Sequence, residues 1–130
     1  MADDVMVVYG EAPGVAVVVL VGEHEAFGSA RLERQLASLV EEGFAVVVDL
    51  SRATFVDSAT LLALLRSRRA ADERGLGFVL QMDVSTGQYV RRIFDLTRLT
   101  SVFATAPTRP EAVAAARAGG AAPQPGTEPA

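Results

Sequence analysis

Residues 54–65 read TFVDSATLLALL, an apolar run that ends at Asp57-Ser58 and gives way at once to a leucine-rich segment. A small hydroxyl where a strand stops and a helix starts supports two readings. Ser, Thr, Asp and Asn are the preferred residues for capping a helix N-terminus, each worth about 1 kcal/mol over alanine, so either residue has a structural use there. If Asp57 supplies the cap by accepting the N–H of Ala59 or Thr60, Ser58 is left exposed at the first helical position with no structural duty. It is then a candidate phosphate acceptor. A phosphate would bring about −1.5 to −2 charges and three acceptor oxygens. The free N–H groups and dipole of the helix would tolerate that charge. A partner packed on the same surface would not, because it would have to desolvate a dianion beside Asp57. Spacing alone favours the cap.

Other chemistry is scarce. The chain has no cysteine and a single histidine, His24. A Ser58–His24–Asp triad can be written on paper, but the residues around the serine are Val56-Asp57-Ser58-Ala59-Thr60, not a G-x-S-x-G elbow. A lone histidine in a strand-to-helix loop is far more often a polar surface or packing residue than a general base. Glu23-His24-Glu25 offers two carboxylates and an imidazole too close in sequence to converge on a metal. Every basic residue is arginine, which removes P-loop and Schiff-base chemistry, both of which need a lysine. Asp49 ends an apolar run as a receiver-domain phosphoacceptor does, yet the companion lysine and acidic pair are missing. Asp49 therefore reads as a strand-end residue that solvates or anchors the next loop. No catalytic residue, metal ligand or cofactor is expected, and the chain does not read as an enzyme.

The elements that would position Ser58 follow from hydrophobic pattern. Residues 5–9 form a short β-branched run, followed by a turn-like Glu11-Ala12-Pro13-Gly14. Residues 15–21 (VAVVVLV) are almost continuously apolar, as in a strand buried on both faces. Leu32, Leu36, Leu39 and Val40 recur at helical spacing within residues 29–42, and Gly43 is the stop. A third strand (45–50), a second helix (58–74), a fourth strand (77–82), a helix burying Val90, Ile93 and Phe94 (86–95) and a weak last strand (101–104) complete the core. Thr108-Arg109-Pro110-Glu111 reads as a capping box with proline in the first turn, opening an alanine-rich helix to Ala118. Residues 119–130 lack periodicity and aromatic residues and read as a disordered tail.

The order ββαβαβαβα predicts one α/β domain. Its sheet is mainly parallel, with about four to five strands, an N-terminal strand at the edge and about four covering helices. Functional groups in such sheets gather beyond the carboxyl ends of the strands, where Ser58 falls. On the second helix, Leu61 and Leu65 define the core face. Leu62, offset by about 100° per residue, lies near its boundary: it either completes the core or, if exposed, is an apolar anchor next to Ser58. Arg66, Ser67, Arg68, Arg69 and Arg74 read as a solvated face or as a surface that steers toward an acidic partner.

Composition sets the class. The 130 residues are 50% hydrophobic and 22% charged with a net charge of −4, which suits a globular chain and argues against nucleic-acid binding, which usually demands a basic face. The acidic N-terminus has too short an apolar run for a signal peptide, and no stretch approaches the roughly 20 apolar residues of a membrane span. A cytoplasmic protein without direct membrane insertion is expected.

Against this background the chain resembles the STAS domain, in particular bacterial anti-sigma factor antagonists, over residues 5–118. VVVDLSRATFVDSATLLALL (46–65) is similar to the family's strand, loop and D-S-S/A-G helix start. RRIFDLTRL (91–99) resembles its F-D-L-T-G-L, and Gly22-Glu23-His24-Glu25 stands in the place of G-E-(apolar)-D. The resemblance implies a partner switch in transcription regulation. The unphosphorylated domain (1–118) would bind a serine-kinase anti-sigma factor and so release a sigma factor. Phosphorylation at Ser58, with Thr60 as an alternative acceptor, would end the complex, and a PP2C-type phosphatase would reset it. ATP and magnesium would belong to the kinase. Glu25, Asp57, Ser58, Ala59, Thr60 and Leu62 would face the partner. The family's pattern is broken at Thr60 and Arg98, where glycine is usual, and at His24 and Glu25, where an apolar residue and aspartate are usual. The resemblance also admits a STAS scaffold, or an accessory subunit of a signalling or membrane transport complex, without phosphorylation. Whether the free protein is a monomer or a dimer stays open.

Overall fold

The computed structural model describes residues 4–24 and 26–119. Five strands alternate with helices: β1 (Asp4–Tyr9), β2 (Val15–His24), α1 (Ala26–Glu41), β3 (Ala45–Val56), α2 (Ser58–Glu73), β4 (Phe78–Gln81), α3 (Gln88–Leu96), β5 (Ala104–Ala106) and α4 (Arg109–Arg117), with a 3-10 turn at Leu99–Ser101. The strands stand in chain order across one sheet. β1 pairs antiparallel with β2, and every later neighbour is parallel.

Chain-order strands joined by crossovers of one hand must carry their helices on the same face. α1, α2 and α3 accordingly share one core, built from Leu32, Leu36 and Leu39 of α1, Leu61 and Leu64 of α2, and Val90 and Phe94 of α3 on Val18, Leu20, Val48 and Leu80 of the sheet. The other face is left to α4. Its core is made of small residues, Ala104, Ala106, Ala112 and Ala116, around Val17, Val47 and Val79. Small side chains let the single helix approach closely. At Gly77 the approach becomes absolute, because a Cβ there would lie 2.1 Å from the Ala116 carbonyl oxygen.

Four boundaries differ from the sequence reading. β3 does not stop at Leu50 but runs on to Val56, and β2 runs on to His24. The polar stretch SRAT hides this extension, which arises from pairing: Val21 faces Arg52, Gly22 faces Ala53 and His24 faces Val56 across two register shifts. The last strand lies at Ala104–Ala106, not 101–104. Phe103, fully buried against Phe78 and Phe94, anchors the chain just before it. α1 begins at Ala26 instead of Ser29. Residues 120–130 of the expected tail lie outside the described residues.

Asp49 is not a strand-end group. It sits inside β3, 2% exposed, and one carboxylate oxygen accepts a hydrogen bond from the Ser51 N–H at 2.8 Å. The other meets Arg109 at 2.7 Å. Arg109 also donates to Gln81 at 3.0 Å and to Glu11 at 3.1 Å, so one guanidinium ties the first turn of α4 to two central strands and to the β1–β2 turn. A buried carboxylate needs such a partner.

Candidate functional site at the start of the second helix

β3 and α2 are joined by one residue, Asp57. It is extended (φ −99°, ψ 179°), and its Oδ1 accepts the Thr60 N–H at 2.9 Å, the geometry of an N-cap. Its own N–H donates to the His24 carbonyl at 3.0 Å, and its carbonyl accepts the Leu61 N–H at 3.0 Å. The cap therefore belongs to Asp57, and Ser58 begins the helix, exposed. Among the described residues the Ser58 hydroxyl has no hydrogen-bond partner.

Thr60 is closed off from solvent. It is 0% exposed, and its hydroxyl lies 3.0 Å from the His24 carbonyl and 2.9 Å from Asp57 Oδ1. Both are acceptors, so the single hydroxyl proton is shared between them. The side chain that departs from the family's glycine thus reaches inward, to the end of β2. Ala59 is half-buried, and Glu25 lies outside the described residues.

His24 ends β2 as a packing residue, 2% exposed, not in a loop. Its Nε2 stands 3.2 Å from the Val21 carbonyl, and its ring makes no hydrogen bond with Ser58, so the two are not arranged as base and nucleophile. Glu23 is exposed where His24 is buried, as neighbours in a strand must be, so these two do not converge on a metal. No cluster of three or more His, Cys, Asp or Glu suited to a metal ion occurs among the described residues.

Leu62 resolves toward exposure, at 44%. The core stripe of α2 runs through Leu61 and Leu64, with Leu65 only half-buried. That rotation turns Leu62 outward, four residues from Ser58. The arginines of α2 make weak surface contacts, Arg66 to Glu33 at 3.5 Å and Arg69 to Glu73 at 3.8 Å, of a kind worth little in water. Ser67, expected on the same face, is buried instead, because it falls one turn after Leu64 on the core stripe.

The β4–α3 segment leans on the same end of β3. The Phe55 and Tyr89 rings are 5.2 Å apart, and the Gly87 N–H donates to the Ala53 carbonyl at 3.3 Å. Arg91 donates to the Asp83 carbonyl, and the Ser85 hydroxyl, 2.5 Å from the Asp83 carboxylate, holds that carboxyl below its ordinary range. Sequence reading missed the Phe55–Tyr89 contact, for which no local pattern exists. It also missed the Thr60 hydroxyl bond, although threonine three residues after a capping aspartate was an available signal. Arg98, the family's glycine in L-T-G-L, adopts φ 59°, the only left-handed non-glycine among the described residues.

The sequence profile of the STAS domain matches residues 7–112. The structure is similar to that of an anti-sigma factor antagonist from Mycobacterium paratuberculosis, with 29% identity, coverage of 89% of this chain and 95% of that one, and a TM-score of 0.72. It also shares the fold of the anti-sigma factor antagonist SpoIIAA in its unphosphorylated form (17% identity, 89% and 98% coverage, TM-score 0.61) and of the phosphorylated form of the Bacillus cell fate determinant SpoIIAA (16%, 87% and 97%, 0.62). No helix among the described residues is long and apolar enough to cross a membrane. With its parallel sheet, edge hairpin and serine-led second helix, the chain belongs to the STAS domain family.

Proposed function

We propose that this protein is an anti-sigma factor antagonist whose binding is switched at Ser58. In the unphosphorylated state it binds a serine-kinase anti-sigma factor through the surface around the start of α2, and the sigma factor is released. The kinase then transfers the γ-phosphoryl group of ATP to Ser58. The Oγ–P bond forms as the bond to the leaving ADP breaks, and the hydroxyl proton passes to a base of the kinase. A PP2C-type phosphatase restores the hydroxyl. The protein is substrate and ligand in this cycle, not catalyst.

The observation that carries this reading is the division of labour at the junction. Asp57 makes the cap, and the Ser58 hydroxyl is exposed and unengaged. A phosphate added there meets the free N–H groups of the first helical turn, so the fold tolerates it. A partner covering exposed Leu62 would have to bury a dianion beside the Asp57 carboxylate. Thr60 is a poor acceptor beside it, since a buried hydroxyl with two hydrogen-bond contacts offers no oxygen to an incoming phosphorus. Similarity to an anti-sigma factor antagonist at 29% identity adds support.

Phosphopeptide mass spectrometry after incubation with ATP and each serine-kinase anti-sigma factor of the same genome tests the reading. Phosphate on Ser58 that disappears in Ser58→Ala is the expected result. No modification by any kinase of a demonstrably folded protein would overturn it in favour of a STAS scaffold or an accessory subunit of a signalling or transport assembly.

A further inference from the structure

We propose that Thr60 is a positioning residue for Ser58: its buried hydroxyl ties the first turn of α2 to the end of β2 and so fixes how the Ser58 hydroxyl is presented to a phosphoryl donor. This role rests on Ser58 being the acceptor, as proposed above.

The geometry converges on one atom. The His24 carbonyl accepts the Asp57 N–H at 3.0 Å and faces the Thr60 hydroxyl at 3.0 Å, which occupies both of its lone pairs. The residues on either side of Ser58-Ala59 are thereby held: Asp57 directly precedes Ser58, Thr60 follows it by two, and both are bound to the same carbonyl of a neighbouring strand. Asp57 Oδ1 closes the ring by accepting from the Thr60 N–H and contacting its hydroxyl, each at 2.9 Å. Ser58 is the exposed residue inside this closed set. Its backbone cannot turn without breaking a bond to His24 or to the cap.

Filling space does not account for a hydroxyl here. Valine has the same shape, and a buried hydroxyl is tolerated only because it is hydrogen-bonded. A glycine at position 60 would keep the capping N–H but lose the strut to β2. Thr60 therefore adds a second tether to the cap. In a bimolecular transfer, holding the acceptor oxygen in line raises the rate of the bound complex more than it raises affinity.

Thr60→Val removes the hydroxyl at constant shape. It leaves the His24 carbonyl bonded to Asp57 and Asp57 Oδ1 bonded to the Thr60-position N–H, so the variant is expected to fold. Three proteins are compared with wild type: Thr60→Val, Thr60→Ser, and Val113→Ala, which loosens the α4 core far from the site. Ser58 phosphorylation kinetics are measured with the serine-kinase anti-sigma factor that modifies the wild type, alongside amide hydrogen exchange without any kinase. For Thr60→Val, kcat is expected to fall about tenfold with KM nearly unchanged, and the position 57 and 60 amides to exchange about tenfold faster. One hydrogen bond of about 1.4 kcal/mol corresponds to that factor. Thr60→Ser should restore both, and Val113→Ala should change neither selectively. Wild-type kcat and exchange in Thr60→Val would overturn the positioning role while leaving Ser58 as acceptor. An equal loss in Val113→Ala would overturn it as a mere stability effect. Absence of phosphate on Ser58 in the wild type would instead remove the reading on which it rests, and the exchange data would still report whether the tether exists.

Discussion

Replacing Asp57 by alanine measures how much of the junction rests on one carboxylate. The backbone bonds of residue 57 survive the change, since the N–H to the His24 carbonyl and the carbonyl to the Leu61 N–H do not involve the side chain. The Thr60 hydroxyl keeps the His24 carbonyl as acceptor, so it is not orphaned. The loss is therefore the Thr60 N–H bond at Oδ1, one of the two contacts of the Thr60 hydroxyl, and the charge at the helix N-terminus. The cap is worth about 1 kcal/mol and the charge about 0.5 kcal/mol, together about 1.5 kcal/mol. For a domain of this size that lowers Tm by about 6 °C. Asp57→Asn keeps the acceptor and forfeits only the charge, about 0.5 kcal/mol. Urea unfolding with an unchanged m-value reads both differences. Equal destabilisation by alanine and asparagine, or an alanine variant within about 0.3 kcal/mol of wild type, would refute the assignment of the cap to Asp57.

Arg98→Gly relieves the left-handed backbone at φ 59°. Removing a strain of about 1–2 kcal/mol against the greater freedom of glycine when unfolded, about 0.5–1 kcal/mol, leaves a net gain of about 0.5–1 kcal/mol, seen as a higher urea midpoint. Gly77→Ala forces α4 away from the sheet, because its Cβ would sit 2.1 Å from the Ala116 carbonyl oxygen. A loss of about 1–3 kcal/mol is expected by the same assay. Ser85→Ala removes the hydroxyl that lowers the Asp83 carboxyl pKa, so an NMR titration of Asp83 should move up toward the ordinary carboxylate value. A carboxyl depressed in the folded state contributes its stability fully above the unfolded pKa and loses it as pH falls through the folded one. Ser85→Ala should therefore narrow the acid range over which stability declines.

The helices and inner strands were legible because burial imposes a period: leucines at helical spacing in α1, an unbroken valine run in β2, a Thr-x-x-Glu start for α4 whose Thr108 hydroxyl accepts the Glu111 N–H at 3.3 Å. The capping role of Asp57 was legible for the same local reason. What stayed hidden depends on partners distant in sequence. The second half of β3 is polar and is a strand only because β2 continues beside it. The Asp49–Arg109 pair joins residues 60 positions apart, and a charged residue in an apolar run gives no hint of which guanidinium will meet it. Leu62 could be placed at the boundary of the helix stripe but not on a side of it, since that required knowing whether Leu64 or Leu65 faces the sheet. Thr60 reads in sequence only as an alternative acceptor where the family has glycine, and the position of the His24 carbonyl is what turns it into a strut.

The most direct test of the switch is the affinity of the purified kinase anti-sigma factor for this protein before and after stoichiometric phosphorylation at Ser58, measured by calorimetry without ATP turnover. Phosphorylation is expected to weaken binding about a hundredfold or more, at least about 2.8 kcal/mol, while Ser58→Ala retains wild-type affinity whether or not ATP is supplied. Equal affinity of the phosphorylated and unphosphorylated proteins, with the phosphate verified on Ser58, would contradict it.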